Sequence, residues 1–129
     1  MNLNAFLIVF LGGGIGAAVR HGVNTALGRL SGHDFPLGIM AINISGSLLM
    51  GLAAGYFAFR ASGEWSQSAR LFVSTGILGG YTTFSAFSLD AMLLYERGEF
   101  GMAIVYVVGS VILSLLGLAF GLASVRAFS

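Results

Sequence analysis

Four apolar runs, each long enough to cross a bilayer, fill almost the whole of this chain. A bilayer core is crossed by roughly 20 apolar residues in a helix. The pattern predicts spans at about 4–27, 37–59, 69–95 and 100–125. Short polar stretches join them: Gly28 to Pro36, Arg60 to Ser68 and Glu96 to Glu99. The 129 residues leave no room for a soluble domain, so 1–129 reads as one transmembrane domain of the all-α integral membrane class. Only 9% of residues are charged, against about a quarter in an ordinary soluble domain. Pro36 stands where the second helix begins, which suits its fixed φ and missing N–H. Arg97-Gly98 reads as the stop of the third. Met1-Asn2-Leu3-Asn4 lacks positive charge ahead of the first run, so that run is expected to be retained rather than cleaved.

The same inventory excludes whole classes of function. A net charge of +1 is wrong for an electrostatic nucleic-acid binder. With no cysteine, disulfides and thiolate chemistry are out. His21 and His33 are too few for a zinc site. Gly12-Gly13-Gly14-Ile15-Gly16 resembles a nucleotide fingerprint, but it does not join a soluble strand to a helix. No Ser-His-Asp set, paired carboxylates or phosphate loop is present, so the chain is not read as an enzyme.

One span is interrupted. Gly79-Gly80-Tyr81-Thr82-Thr83-Phe84-Ser85-Ala86-Phe87-Ser88 lies inside the third apolar run. Glycine is a poor helix former, and Thr and Ser offer the backbone competing hydrogen bonds. In lipid, a broken helix persists only where protein or water satisfies the freed groups. Such breaks build ion sites. The third helix is therefore expected to be broken, and the break to be the working part of the molecule.

Other polar residues sit within the spans, where each is costly. Asn43, in the second, suits either an interhelical hydrogen bond or a donor on an anion path. Arg20 lies about 24 Å along the first helix. It suits snorkelling, a pair with Asp90, or a positive vestibule that concentrates anions. Tyr106, Ser110 and Ser114 recur at i, i+4 and i+8, which aligns three hydroxyls on one stripe. The break adds Thr82, Thr83, Ser85 and Ser88. Phe84 and Phe87, three apart, read on their own as core packing. Asp90 lies off the membrane centre. A small proton-coupled multidrug or cation exchanger, the main alternative, needs a central carboxylate that the sequence does not offer. A non-transporting assembly subunit would need no hydroxyl rail.

Glycines spaced by four mark every span: Gly12 and Gly16, Gly51 and Gly55, Gly76 and Gly80, Gly117 and Gly121. Such stripes predict close helix packing. All six positive charges are arginine. Four crossings would put Arg60, Arg70 and Arg126 on the side of the termini, and Arg29 and Arg97 opposite. The positive-inside rule needs an imbalance to set orientation, and this one is slight. Both a single orientation and insertion in both orientations stay open. The second would permit an antiparallel homodimer.

These blocks resemble the CrcB/Fluc fluoride channels. Gly13-Gly14-Ile15-Gly16-Ala17-Ala18-Val19-Arg20 is similar to that family's first-helix block, Ile42-Asn43-Ile44-Ser45-Gly46-Ser47 to its second, and Gly76 through Phe87 to its third-helix signature. Tyr106, Ser110 and Ser114 match its fourth-helix polar positions, so the resemblance covers nearly the whole chain. It implies an antiparallel dual-topology homodimer in the bacterial inner membrane, exporting fluoride through two pores. It also implies a structural sodium ion between the subunits, held by the backbone carbonyls of Gly79 and Thr82. Phe84 and Phe87 match rings whose edges face the anion, and Asn43 matches a hydrogen-bond donor within the pore. Two departures are visible. Ile39 stands where some members carry threonine, and His21 follows Arg20 where an aromatic residue is common. Neither is expected to abolish function.

Overall fold

The computed structural model describes residues 3–31 and 34–128, with no side-chain description for Ser31. His33 and its neighbour in the first connection therefore lie outside the described residues, as do residues 1, 2 and 129. The described chain is helical, with no strand: α1 is Leu3–Ser31, α2 Leu37–Phe59, α3 64–81, α4 Phe84–Glu96 and α5 Phe100–Ala127. Four helical stretches are long and apolar enough to cross a membrane, the third being α3 and α4 together, Glu64–Glu96.

The boundaries differ from the sequence expectation in three places. α1 continues past Leu27 to Ser31, because a single Gly28 does not stop a long helix and Arg29 in the last turn suits the negative end of its dipole. The third span starts at Glu64 rather than Ala69. Gly63, at φ +99°, makes the turn, after which Glu64 opens the helix at its positive end. α5 runs on to Ala127.

Inside α3 the winding changes. Glu64–Arg70 is α-helical, Leu71–Leu78 is π-helical, and Gly79–Tyr81 returns to α. The helix then stops. Thr82 (φ −80°, ψ 156°) and Thr83 (φ −151°, ψ 119°) are extended, and α4 begins at Phe84. The expected break is thus two residues of extended backbone. The end of α4 also follows its sequence. Gly98 at φ +78° lets its N–H reach Tyr95 O at 3.0 Å and the Glu99 N–H reach Leu94 O at 2.9 Å. These paired bonds satisfy the last carbonyls of the helix.

Glycine decides how the helices meet. A Cβ on Gly12 would lie 2.7 Å from the Phe72 carbonyl oxygen, and one on Gly16 would collide with that of Ile77. One on Gly80 would strike Gly13. α1 and α3 therefore touch backbone to backbone. The same holds for α2 on α5, where Gly51 faces the Leu118 carbonyl and Gly121 that of Leu48. Among lipid tails, such close approach supplies the packing energy that hydrophobicity no longer provides. Ile39, Ile42, Phe87, Leu94 and Tyr106 form a buried cluster between α2, α4 and α5. Outward faces carry exposed apolar side chains such as Phe10, Leu115 and Phe120. At one end, the Arg126 guanidinium lies over the Phe59 ring, 5.4 Å from its centroid.

Candidate functional site

The break is held from three sides. Thr82 closes α3 onto one carbonyl: its N–H reaches Leu78 O at 3.1 Å and its Oγ1 donates to the same oxygen at 3.0 Å. Thr83 caps α4, its Oγ1 accepting the Ala86 N–H at 3.1 Å. From α2, Asn43 meets Thr83 twice. Its Nδ2 donates to the Thr83 carbonyl at 3.0 Å, and its Oδ1 accepts the Thr83 N–H at 2.8 Å. From α1, Arg20 Nη1 donates to the Gly80 carbonyl at 3.0 Å. Ser45 Oγ donates to Ile42 O at 3.2 Å, which spends its one hydrogen. Tyr81, 2.9 Å away, is therefore the donor to Ser45. Gly46 makes room for this arrangement, since a Cβ there would collide with the Thr82 methyl.

Beside the break runs a groove of about 250 Å³. α2 contributes Asn43 and Ser47, the break Thr82 and Thr83, α4 Phe84 and Phe87, and α5 Ser110 and Ser114. Ser110 is 4% exposed, and its buried Oγ has no hydrogen-bond partner among the described residues. A buried hydroxyl left so is destabilising by about 1–3 kcal/mol unless something binds it. Phe87 stacks at a tilt on Tyr106, centroids 5.2 Å apart, and Tyr106 meets Phe35 edge-on at 5.7 Å. Behind these rings, the Tyr106 hydroxyl donates to Asp90 Oδ2 at 3.3 Å. A second groove, lined in part by Arg20, His21, Asn24 and Ser85, opens on Thr83 as well.

The sequence-predicted residues thus divide. Asn43, Thr83, Phe84, Phe87, Ser110 and Ser114 share the first groove, with Thr82 at its edge. Tyr106 shares their helical stripe, yet its fully buried ring sits behind Phe87 and its hydroxyl turns to Asp90 rather than lining the groove. Ser85 lines the second groove, 3.3 Å from Thr83 between hydroxyl oxygens. Ser88 donates to the Phe84 carbonyl at 2.9 Å, so its hydrogen is spent on its own helix. Of the readings open for Arg20, the pair with Asp90 does not form: its Nη1 donates to the Gly80 carbonyl, which the break places within its range. Gly79 sits exposed at the start of the last α-helical turn before the break. Sequence reading missed Ser47, although its position four residues after Asn43 places both on one helical face. It also missed the Ser45–Tyr81 and Asp90–Tyr106 pairs, which join separate helices and leave no local pattern.

The family described as "CrcB-like protein, Camphor Resistance (CrcB)" matches residues 7–122. The chain belongs to the CrcB family. The match takes in both sides of the break and every groove residue named above. A relative from Rhodopseudomonas palustris (strain BisB5), named "Fluoride-specific ion channel FluC", is 62% identical over 96% of this chain and 98% of its own length. "Fluoride-specific ion channel FluC 2" from Nitrobacter hamburgensis is 61% identical over 94% and 96% of the two chains. A relative from Paracoccus denitrificans (strain Pd 1222), also named "Fluoride-specific ion channel FluC", is 51% identical over 92% of each chain.

Proposed function

We propose that this chain is a fluoride-selective passive channel, a multi-pass protein of the bacterial inner membrane that lets cytoplasmic fluoride out and so relieves its toxicity. The observation that carries the reading is the groove beside the break. There an aromatic pair, an amide and the unpartnered Ser110 hydroxyl line one path, in a chain whose relatives are named for fluoride conduction.

Fluoride is small and strongly hydrated, so a path for it must replace its water with closely placed donors. Ser110 and Ser114 offer hydroxyls. Asn43 has a second Nδ2 hydrogen beyond the one given to Thr83. The rims of Phe84 and Phe87 are the positive parts of their rings and can face an anion while keeping water away. Thr83, Ser88 and Tyr106 belong to the polar surroundings of this path, while Ser85 and Arg20 line the second groove, which meets it at Thr83 and serves as its electropositive vestibule. Fluoride enters cells as neutral HF and dissociates in a less acid cytosol. An inside-negative potential pushes an anion outward, by about 2.3 kcal/mol per unit charge for each 100 mV. No coupled ion and no covalent chemistry are needed.

The working form in this reading is an antiparallel dual-topology homodimer. Two features support it. Phe84 is 77% exposed at the edge of the groove, which a second copy would cover, and the near-even arginine distribution suits both orientations. A sodium ion at the dimer axis would take the Gly79 and Thr82 carbonyls of each copy. Carbonyl oxygens are the ligands a hard cation prefers, and the break is where carbonyls lose their helical donors. Sodium there would fasten the two copies and not permeate.

Fluoride efflux from liposomes holding the purified protein tests the reading, with valinomycin as potassium shunt and chloride-loaded liposomes beside them. Fast fluoride release without chloride release supports it. No release from a folded protein overturns it. Release that follows an imposed proton gradient would favour the exchanger instead.

A further inference from the structure

The two carbonyls assigned to sodium are the two whose own helical donors have been drawn elsewhere by a side chain. In an unbroken helix the Gly79 carbonyl accepts the Thr83 N–H, and the Thr82 carbonyl accepts the Ala86 N–H. Here the Thr83 N–H goes to Asn43 Oδ1 at 2.8 Å, and the Ala86 N–H goes to Thr83 Oγ1 at 3.1 Å. Gly80, between them, is treated in the opposite way: its carbonyl receives Arg20 Nη1 at 3.0 Å. Side chains from α1, α2 and the break itself therefore redirect the helical donors of Gly79 and Thr82 and engage the carbonyl of Gly80.

We propose that Asn43 and Thr83 are positioning residues for the cation. By holding two backbone N–H groups, they keep the Gly79 and Thr82 oxygens open, while Arg20 withdraws Gly80 from the ligand set. The inference rests on the sodium reading above and adds why those two oxygens are the ligands. The physical reason is simple. An N–H aimed at a carbonyl places a positive hydrogen where a cation would sit, so an oxygen that already accepts is a poorer ligand. The Asn43 pairing also fixes direction, because a bond at each end of the amide leaves the Thr83 peptide no freedom to swing its N–H back toward Gly79. Asn43 thus serves both the path and the cation, through different atoms.

The test reads Na+ binding and not flux. Purified protein is melted in rising NaCl, with N-methylglucamine chloride keeping ionic strength constant, and an apparent Na+ affinity is taken from the shift in unfolding temperature. Thr83→Val and Asn43→Leu remove the acceptor oxygens at nearly constant volume. Thr83→Ser retains its hydroxyl. The expected result is a loss of about tenfold or more in Na+ affinity for Thr83→Val and Asn43→Leu, with Thr83→Ser retaining it. Should Asn43→Leu fail to fold, the Thr83 pair decides alone. Equal Na+ affinity in wild type and Thr83→Val overturns the positioning role while leaving sodium in place. An equal loss in Thr83→Val and Thr83→Ser overturns it too, because the effect would not run through the hydroxyl. A wild-type protein whose melting ignores Na+ overturns the sodium reading, and this inference with it.

Discussion

Phe84 and Phe87 stand one helical turn apart with ring centroids 5.6 Å from each other, yet Phe84 is 77% exposed and Phe87 9%. The same residue type therefore has two jobs in one groove. Phe87 is anchored against Tyr106, whereas Phe84 stands out from the surface of the chain. Phe84→Ile and Phe87→Ile are both expected to lower fluoride flux. Only Phe87→Ile should also destabilise the isolated fold appreciably, by about 1 kcal/mol from lost ring contact. Liposome efflux and thermal melts on the same preparations check both parts. Unchanged flux in both variants would remove the two rings from the path.

Ser110 gives a test in which stability and flux move in opposite directions. Its hydroxyl is buried without a partner among the described residues, so removing it relieves a desolvation cost. Ser110→Ala is expected to melt higher, by about 1 kcal/mol in stability, and to conduct fluoride less well. A variant that melts lower would show that the hydroxyl has a structural partner.

Glycines on one helix should differ sharply in tolerance. A Cβ at Gly16 would collide with the Ile77 carbonyl, while one at Gly14 meets nothing within 4 Å. Gly16→Ala is expected to push α1 off α3 and cost about 1–3 kcal/mol. Gly14→Ala should be neutral or slightly stabilising through better helix propensity. Melting the two variants side by side in detergent decides it.

Tyr81, next to the break, is tied to α2 through Ser45, its hydroxyl 2.9 Å from Ser45 Oγ. Tyr81→Phe removes the donor of a part-buried bond and is expected to cost about 1 kcal/mol. Ser45→Ala should cost little more when added to it. A double-mutant cycle on melting temperature measures the coupling, and additive losses would show that the two hydroxyls do not act as a pair.

Much of this fold is legible in the sequence because lipid leaves few choices. Length and hydropathy placed the four spans, and Gly98 and Pro36 marked helix ends at a residue's precision. The break was legible because Gly79, Gly80 and the threonines all disfavour helix at one place. Two span ends were not: Gly28 and the polar run around Glu64 looked like loop but are helical, since one glycine or a few charges do not outweigh continuing backbone hydrogen bonds. Asn43, Thr83, Phe84, Phe87, Ser110 and Ser114 line one groove, although Phe84 and Phe87 read on their own as core packing and only the family resemblance set them beside the hydroxyls. The partners of Arg20 and Tyr106 did not follow from sequence, because each is chosen by which backbone or carboxylate the tertiary packing brings within reach. The winding of α3 left no trace in composition either.

That winding makes chain length itself part of the design. A π-helical stretch such as Leu71–Leu78 is what results when an α-helix takes in an extra residue. Deleting one residue there would let the backbone close into ordinary α geometry with its hydrogen bonding intact. The same deletion in the α-helical Glu64–Arg70 stretch, which has no wide turn to close, would instead rotate everything downstream by roughly 100° and slide it by about 1.5 Å relative to α1 and α2. Thr83 would leave Asn43, Gly80 would leave Arg20, and Phe84 would point to another quarter of the compass. The wide turns can therefore take up a change in residue count that the α-helical turns beside them cannot, and the winding of α3 keeps the break in register with the helices that hold it.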